Sequence, residues 1–234
     1  MMKPQTQLIM AALFASVISI AAVETTMAQD PAKVDAKHYK VEFENDQVRI
    51  LRVKYGPKEK SVMHQHPAGV AISMTEMQGK FALPGGKIEE RRFKVGEVRW
   101  TDAESHLPES LSVKPFEVIL VELKGGNTAA TTTPSVTEDP AKVDSKHYKV
   151  EFENDQVRVL RVKLGPKEKT QMHVHPANIA IFLTDGHARF TLPDGKTQEA
   201  TLKAGQFLWA GQEKHAGENL GGPFEAIVVE LKAS

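Results

Sequence analysis

The chain of 234 residues contains no cysteine. It therefore has no disulfide, no thiolate metal site, no lipidated N-terminal cysteine and no cysteine nucleophile, and any metal must be held by nitrogen and oxygen. Net charge is also missing, because 30 Lys and Arg balance 30 Asp and Glu. Attraction to phosphate backbones or anionic lipid needs clustered cations, so no nucleic acid is expected as a partner. Aromatic residues are few, at 6%, against 41% hydrophobic residues overall. That balance is globular and excludes collagen, coiled coil and wholesale disorder.

Long apolar runs are confined to one place. Residues 8 to 23 (LIMAALFASVISIAAV) are uncharged, follow a short segment carrying Lys3, and precede small residues that fit cleavage after Ala28. We read residues 1–28 as a secretory signal peptide. The run would span about 24 Å as a helix, short of the hydrocarbon core of about 30 Å, although an uncleaved anchor is the alternative. The mature chain is thus expected to be exported, periplasmic or secreted, with no stable membrane anchor after cleavage. Removing 1–28 deletes Lys3 and Glu24 together, so the charge balance survives.

What is present is one unit written twice. DPAKVDAKHYKVEFENDQVRILRVKYGPKEK at 30–60 recurs as DPAKVDSKHYKVEFENDQVRVLRVKLGPKEK at 139–169. The copies then drift apart but stay alignable to FEVILVELK (116–124) and FEAIVVELK (224–232). We expect domains at 30–124 and 139–234. Between them, 125–138 (GGNTAATTTPSVTE) is rich in Thr, Ala, Gly and Pro and lacks large apolar residues, so it reads as a linker.

Within each unit the apolar residues form short runs such as YKVEF, VRVLRVKL, NIAIFLT, ARFTL, QFLWA and FEAIVVEL, separated by ENDQ, GPKEK, LPDGK and LGGP. Short β-branched runs at turn-punctuated spacing predict an all-β sandwich or small barrel. LPDGK between two strand candidates predicts a hairpin. Beyond residue 28 no stretch sustains an apolar helical period for three turns, so helices should be few and short.

The histidines carry the chemistry. Alternate residues of a strand share a face, so His173 and His175 in MHVHP, and His64 and His66 in MHQHP, can present paired imidazoles. His215 and His106 follow the next strands. Around them the copies differ at most positions (AGQEKHAGEN against TDAESHLPES), yet these histidines align, as do Glu213 with Glu104 and Glu218 with Glu109. Three imidazoles meeting at a barrel mouth would hold one divalent cation and leave positions open for water or substrate. The alternative is structural or surface histidines. His38 and His147 lie in the near-identical segment and receive no role, and His187, opposite Gln78, reads as a rim residue.

These residues resemble the cupin superfamily, whose motifs are G(X)5HXH(X)3-4E(X)6G and G(X)5PXG(X)2H(X)3N. HVH at 173–175 matches, Gly186 falls at the closing glycine, and His215 with Asn219 matches H(X)3N. Gly165 and Gly205 are similar to the opening glycines, with seven residues rather than five before His173. The resemblance covers both repeats and implies two jelly-roll-like barrels of six to eight strands, each with a metal in its mouth. The motif glutamate, counted back from Gly186, is replaced by Ile179, and in the first copy by Val70. By strand parity Ile179 should stand on the same wall as the imidazoles. PXG is replaced by GQE and DAE.

Losing the carboxylate removes one negative charge and one hard donor. That argues against oxalate oxidase or decarboxylase chemistry and leaves the three-histidine cupins, which include Fe(II) dioxygenases; Zn with three histidines and a bound water is the equal alternative. The expected metal sites are His64, His66, His106 and His173, His175, His215, with Fe, Zn, Mn or Ni as the cation. Arg189 is a candidate for a substrate carboxylate if it faces inward, and otherwise a solvated strand residue. Trp209, aligned with Trp100, is a candidate pocket wall. Glu213 would be an acceptor for an imidazole N–H or an exposed loop carboxylate. The expected activity is that of a metal-dependent, oxygenase-like enzyme on a small molecule, and the alternative is a non-catalytic ligand-binding or structural module. Homo-oligomerisation stays open.

Overall fold

The computed structural model describes residues 29–125 and 138–232, so the expected signal peptide and all but the ends of the expected linker lie outside the described residues. Each half is built of nine strands. In the first they are β1 (Tyr39–Glu44), β2 (Val48–Tyr55), β3 (His64–His66), β4 (Gly69–Ser73), β5 (Met77–Ala82), β6 (Ile88–Phe93), β7 (Val98–Thr101), β8 (Glu104–Ser110) and β9 (Phe116–Leu123). In the second they are β10 (Tyr148–Glu153), β11 (Val157–Leu164), β12 (His173–His175), β13 (Asn178–Phe182), β14 (Gly186–Thr191), β15 (Thr197–Leu202), β16 (Phe207–Ala210), β17 (Glu213–Asn219) and β18 (Phe224–Leu231). The α-helices α1 (Pro31–Val34) and α2 (Pro140–Val143) are single turns.

Local chemistry sets the boundaries. Asp30 caps α1 by accepting from the Ala32 amide at 3.0 Å, with Pro31 where a missing N–H is harmless. At ENDQ, Asn45 Oδ1 accepts from the amides of Gln47 and Val48 at 2.8 and 2.9 Å, which turns β1 into β2. Asn154 does the same between β10 and β11. The LPDGK hairpin joins β14 to β15, closing at Thr191 opposite Thr197.

Each half is a five-stranded sheet facing a four-stranded one. The orders are β1-β2-β9-β4-β7 with β3-β8-β5-β6, and β10-β11-β18-β13-β16 with β12-β17-β14-β15. One face of the five-stranded sheet lines the barrel, through Leu51, Val53, Ala71, Val118 and Leu120. The other packs against the second half, where Ile50, Ile72 and Ile119 join Val159, Ile179 and Ile227 in one shared core. Burial on both faces explains why VAI at 70–72 runs apolar without the polar alternation of a half-exposed strand.

The contact between halves is reciprocal. Arg52 donates to the carbonyl of Gly205 at 2.6 Å, and Arg161 donates to that of Gly96 at 2.7 Å. Both glycines have positive φ, 81° and 71°, which a side chain would strain.

The sheets correct one expectation. Ile179 does not share a wall with His173 and His175. Pro176 and Ala177 carry the chain from one sheet to the other between them, so parity does not run through, and Ile179 and Val70 lie in the core between the halves. The neighbouring positions that face the barrel are Ala180 and Ala71.

Candidate metal centres

Strand register assembles each triad. β3 pairs with β8 so that His64 lies opposite His106, and β12 pairs with β17 so that His173 lies opposite His215. His66 and His175 sit two residues along on the same face. In both halves one ring nitrogen from each of the three histidines lies within 4.8 Å of the others. The third histidine is therefore on a strand, and the three rings of each triad come from neighbouring strands.

Hydrogen bonds fix the ring orientations. A carbonyl or ionised carboxylate can only accept, so each imidazole Nδ1 facing one carries the proton. His64 Nδ1 donates to the carbonyl of Val62 at 2.8 Å and His173 Nδ1 to that of Gln171 at 2.6 Å. His66 Nδ1 donates to Glu122 and His175 Nδ1 to Glu230, both at 2.6 Å. The Nε2 lone pairs are left pointing inward. His64 Nε2 is buried without a partner. His173 Nε2 and His175 Nε2 stand 3.1 Å apart, two lone pairs facing each other. A shared cation relieves that repulsion, so the donor set fits a divalent metal.

The electrostatics agree. Burial, reinforced by the neighbouring imidazoles, pushes His64 and His173 down to about 3. Burial also lowers His106 to about 4 against the pull of Glu104. Ligands must be neutral, and these need shed no proton to bind.

Charge lost with the motif glutamate is restored one bond further out. Glu122, 1% exposed, accepts from His66 and from Arg49 Nε at 2.5 Å, and Arg49 also meets Asp30 at 2.7 Å. Glu230, Arg158 and Asp139 repeat the chain beside His175. Two acids and one arginine leave a net negative charge behind each ligand. These residues were not singled out in the sequence, although a glutamate inside the apolar runs FEVILVELK and FEAIVVELK was the available signal.

The two centres differ at the third histidine and above it. Glu104 accepts from His106 Nδ1 at 2.6 Å and is gripped by Arg91 at 2.6 Å. Burial would raise its carboxyl, but those two bonds hold it at about 2. Glu213 lies 3.6 Å from His215 Nδ1 with no arginine on it. Burial pushes its carboxyl up, and His215 outweighs that and keeps it below the usual range. Tyr39 accepts from the Tyr55 hydroxyl at 2.9 Å, whereas Tyr148, with Leu164 where Tyr55 stands in the other half, places its hydroxyl 3.0 Å from His173 Nε2. The second barrel holds a cavity of about 350 Å³, the first only about 100 Å³.

The remaining candidates are placed as follows. Arg189 does not face inward. Its neighbours Ala188 and Phe190 line the cavity, and its guanidinium is matched outside by Glu199 at 2.7 Å and Glu218 at 3.1 Å. Trp209 borders the cavity and also stacks on Phe43 of the first half, with ring centroids 6.0 Å apart. His187 is a half-exposed rim residue near Glu199. His38 and His147 are buried against Asp35 and Asp144, outside either triad.

No family model and no curated protein matches the sequence. Solved structures do. AerE from Microcystis aeruginosa superposes with a TM-score of 0.58 at 15% identity, covering 83% of this chain and 97% of that one. An oxalate decarboxylase variant from Bacillus subtilis gives 0.58 at 13% identity over 81% of this chain and 70% of that one. A cupin 2 conserved barrel domain protein from Leptotrichia buccalis gives 0.53 at 11% identity over 83% and 88%. With two matching β-sheet halves, each carrying a histidine triad at its mouth, the chain has the fold of a tandem cupin, or bicupin.

Proposed function

We propose that this protein is an exported bicupin that holds one divalent cation in each barrel and acts on a small molecule in the second. The observation that carries the reading is the convergence of Nε2 lone pairs on histidines whose Nδ1 atoms, except that of His215, are hydrogen-bonded outward, with the Nε2 atoms of His173 and His175 3.1 Å apart. A structural neighbour, the Bacillus subtilis oxalate decarboxylase, carries Mn(II) centres. That supports a divalent cation here without fixing which one.

When bound, such a cation supplies Lewis acidity toward a ligand donor or water in the open positions. The chain's own residues do the rest. Apolar walls exclude bulk water, and Glu213 holds negative charge beside His215. Tyr148, whose phenol burial pushes well above its ordinary value, stays protonated and can donate its O–H to a group bound next to His173. In the first barrel Tyr55 and Arg91 fill the corresponding space, so that triad serves as a structural centre.

Metal analysis of natively purified and reconstituted protein tests this. Two cations per chain are expected, falling to one in the double variant His173→Ala, His175→Ala. A wild type that stays metal-free after exposure to Mn, Fe, Zn and Ni would overturn it and favour a non-catalytic binding module. For export, the mature chain from the extracytoplasmic fraction should begin at Gln29. Cleavage there leaves intact the hydrogen bond from the Gln65 amide to the Gln29 carbonyl, 3.0 Å. A full-length cytosolic chain would contradict it.

A further inference from the structure

The two cavities differ at positions related by the repeat, and the differences specify what can enter. Arg91 in β6 reaches into the first barrel, where its guanidinium lies 4.5 Å from the centre of the Phe81 ring and bonds Glu104. Its counterpart is Ala200, which lines the second cavity with a methyl group. Phe93 becomes Leu202 and Tyr55 becomes Leu164. Each change removes bulk, as does Gly217 where Pro108 stands in the first barrel, in keeping with the roomier second cavity.

Val162, Leu164, Phe182, Phe190 and Val228 form an apolar body, and His175, His215, Tyr148, Asn178 and Glu213 supply polar groups beside the triad. Thr170 and Asn219 also line the cavity but are spent on backbone, Thr170 accepting from the Gly217 amide at 2.7 Å and Asn219 donating to the carbonyls of Leu164, Gly165 and Gly222, while Gln198 lies at the exposed rim. Among the described residues lining this cavity there is no Lys or Arg. The acids Glu199 and Glu218 at its border are matched by Arg189 outside. A negative charge placed away from the triad would meet apolar surface with no counter-ion, which is costly.

We propose that the second barrel, and not the first, takes a small molecule with an apolar body and a single polar head turned toward His173, His175 and His215. A second charged group at the far end is rejected. The position of the head rests on the reading of the triad as a metal centre, whereas the preference for an apolar body rests on the cavity walls alone.

A matched six-carbon series, 1-hexanol, hexanoate and adipate, tests it by calorimetric titration of the full chain, metal-free and metal-loaded. 1-Hexanol should bind in both states, and adipate should bind at least about tenfold more weakly than hexanoate, since its far carboxylate is buried unpaired. Ala200→Arg, which supplies the bulk and charge of Arg91, should abolish 1-hexanol binding. Ala200→Leu fills space without charge and should weaken it at least about fivefold, as filling a packed cavity does. Metal content of each variant reports whether the barrel is intact. Adipate binding as tightly as hexanoate, no 1-hexanol binding to the metal-free wild type, or binding unchanged in both Ala200 variants would overturn the inference. Failure of the chain to hold metal would instead sink the functional reading and leave the 1-hexanol result to stand by itself.

Discussion

Replacing Glu230 by Gln isolates the charge behind the second centre. Glu230 is 1% exposed and accepts from His175 Nδ1 and Arg158 Nε, both at 2.6 Å. Gln keeps the shape but removes the charge, leaving a partly buried guanidinium whose remaining acid is Asp139 at 2.7 Å. Breaking one partner of a buried pair costs about 3–5 kcal/mol, and Asp139 places this case at the lower end, about 3 kcal/mol. For a cooperative chain of this size that lowers the Tm by about 6–12 °C. The second effect is on the metal. A carboxylate behind a ligating imidazole is worth about 10- to 100-fold in affinity. The stabilisation gained on adding metal should shrink by about 1.4–2.7 kcal/mol for that barrel. Thermal unfolding with and without metal, combined with competition against a chromophoric chelator, reads both. If Glu230→Gln lowers the Tm but keeps wild-type affinity within about threefold, against the expected 10-fold or more, the carboxylate is structural only and the account of how the ligand is held is wrong.

Acid should destabilise the metal-free protein in a defined window. His64 and His173 are held at about 3 and His106 at about 4. The unfolded chain titrates near 6.5, so it takes up protons first as pH falls. Their contribution is complete above about pH 6.5 and is lost on going down toward about pH 4 for His106 and about pH 3 for His64 and His173, by about 1.4 kcal/mol per pH unit for each. Denaturant titrations from about pH 7 to 4.5 check the slope, and a flat profile refutes the burial argument. Ile179→Glu, which restores an acid where counting along the motif puts it, should cost at least about 3 kcal/mol and bind no metal more tightly, because the position faces the core between the halves. Ala180→Glu aims a carboxylate into the second cavity and should strengthen Mn binding there. Equal metal affinities in the two variants, measured by chelator competition, would show that the facing assignment is mistaken. Tyr148→Phe should lower stability by about 1 kcal/mol in the metal-free chain through loss of the bond to His173. No change in chemical denaturation would argue against that bond.

Much of this molecule is legible in its sequence because it is repeated. Two copies compared within one chain single out His106 and His215 against a diverged background. The alternation of HVH and HQH puts two rings on one face without further information. Short β-branched runs between Asn, Gly and Pro turns predict the all-β barrels. Parity fails at Ile179 because Pro176 and Ala177 move the chain between sheets, and periodicity holds only within one strand. Glu122 and Glu230 escape local reading because their partners Arg49 and Arg158 lie on neighbouring strands far away in sequence. Arg189 is ambiguous in sequence for a related reason, since only the pairing of β14 with β15 and β17 sets Glu199 and Glu218 on either side of it. The contrast between Arg91 and Ala200 is visible in the repeat, but its meaning depends on knowing that β6 and β15 turn those positions inward.

The claim beneath all of this is that the inward Nε2 atoms of each triad bind the same ion. X-ray absorption at the zinc edge of protein loaded with one zinc per barrel measures that directly. Three imidazole nitrogens per metal are expected at about 2.0–2.1 Å, with any remaining positions taken by oxygen. A spectrum with a single imidazole or none per zinc would contradict it.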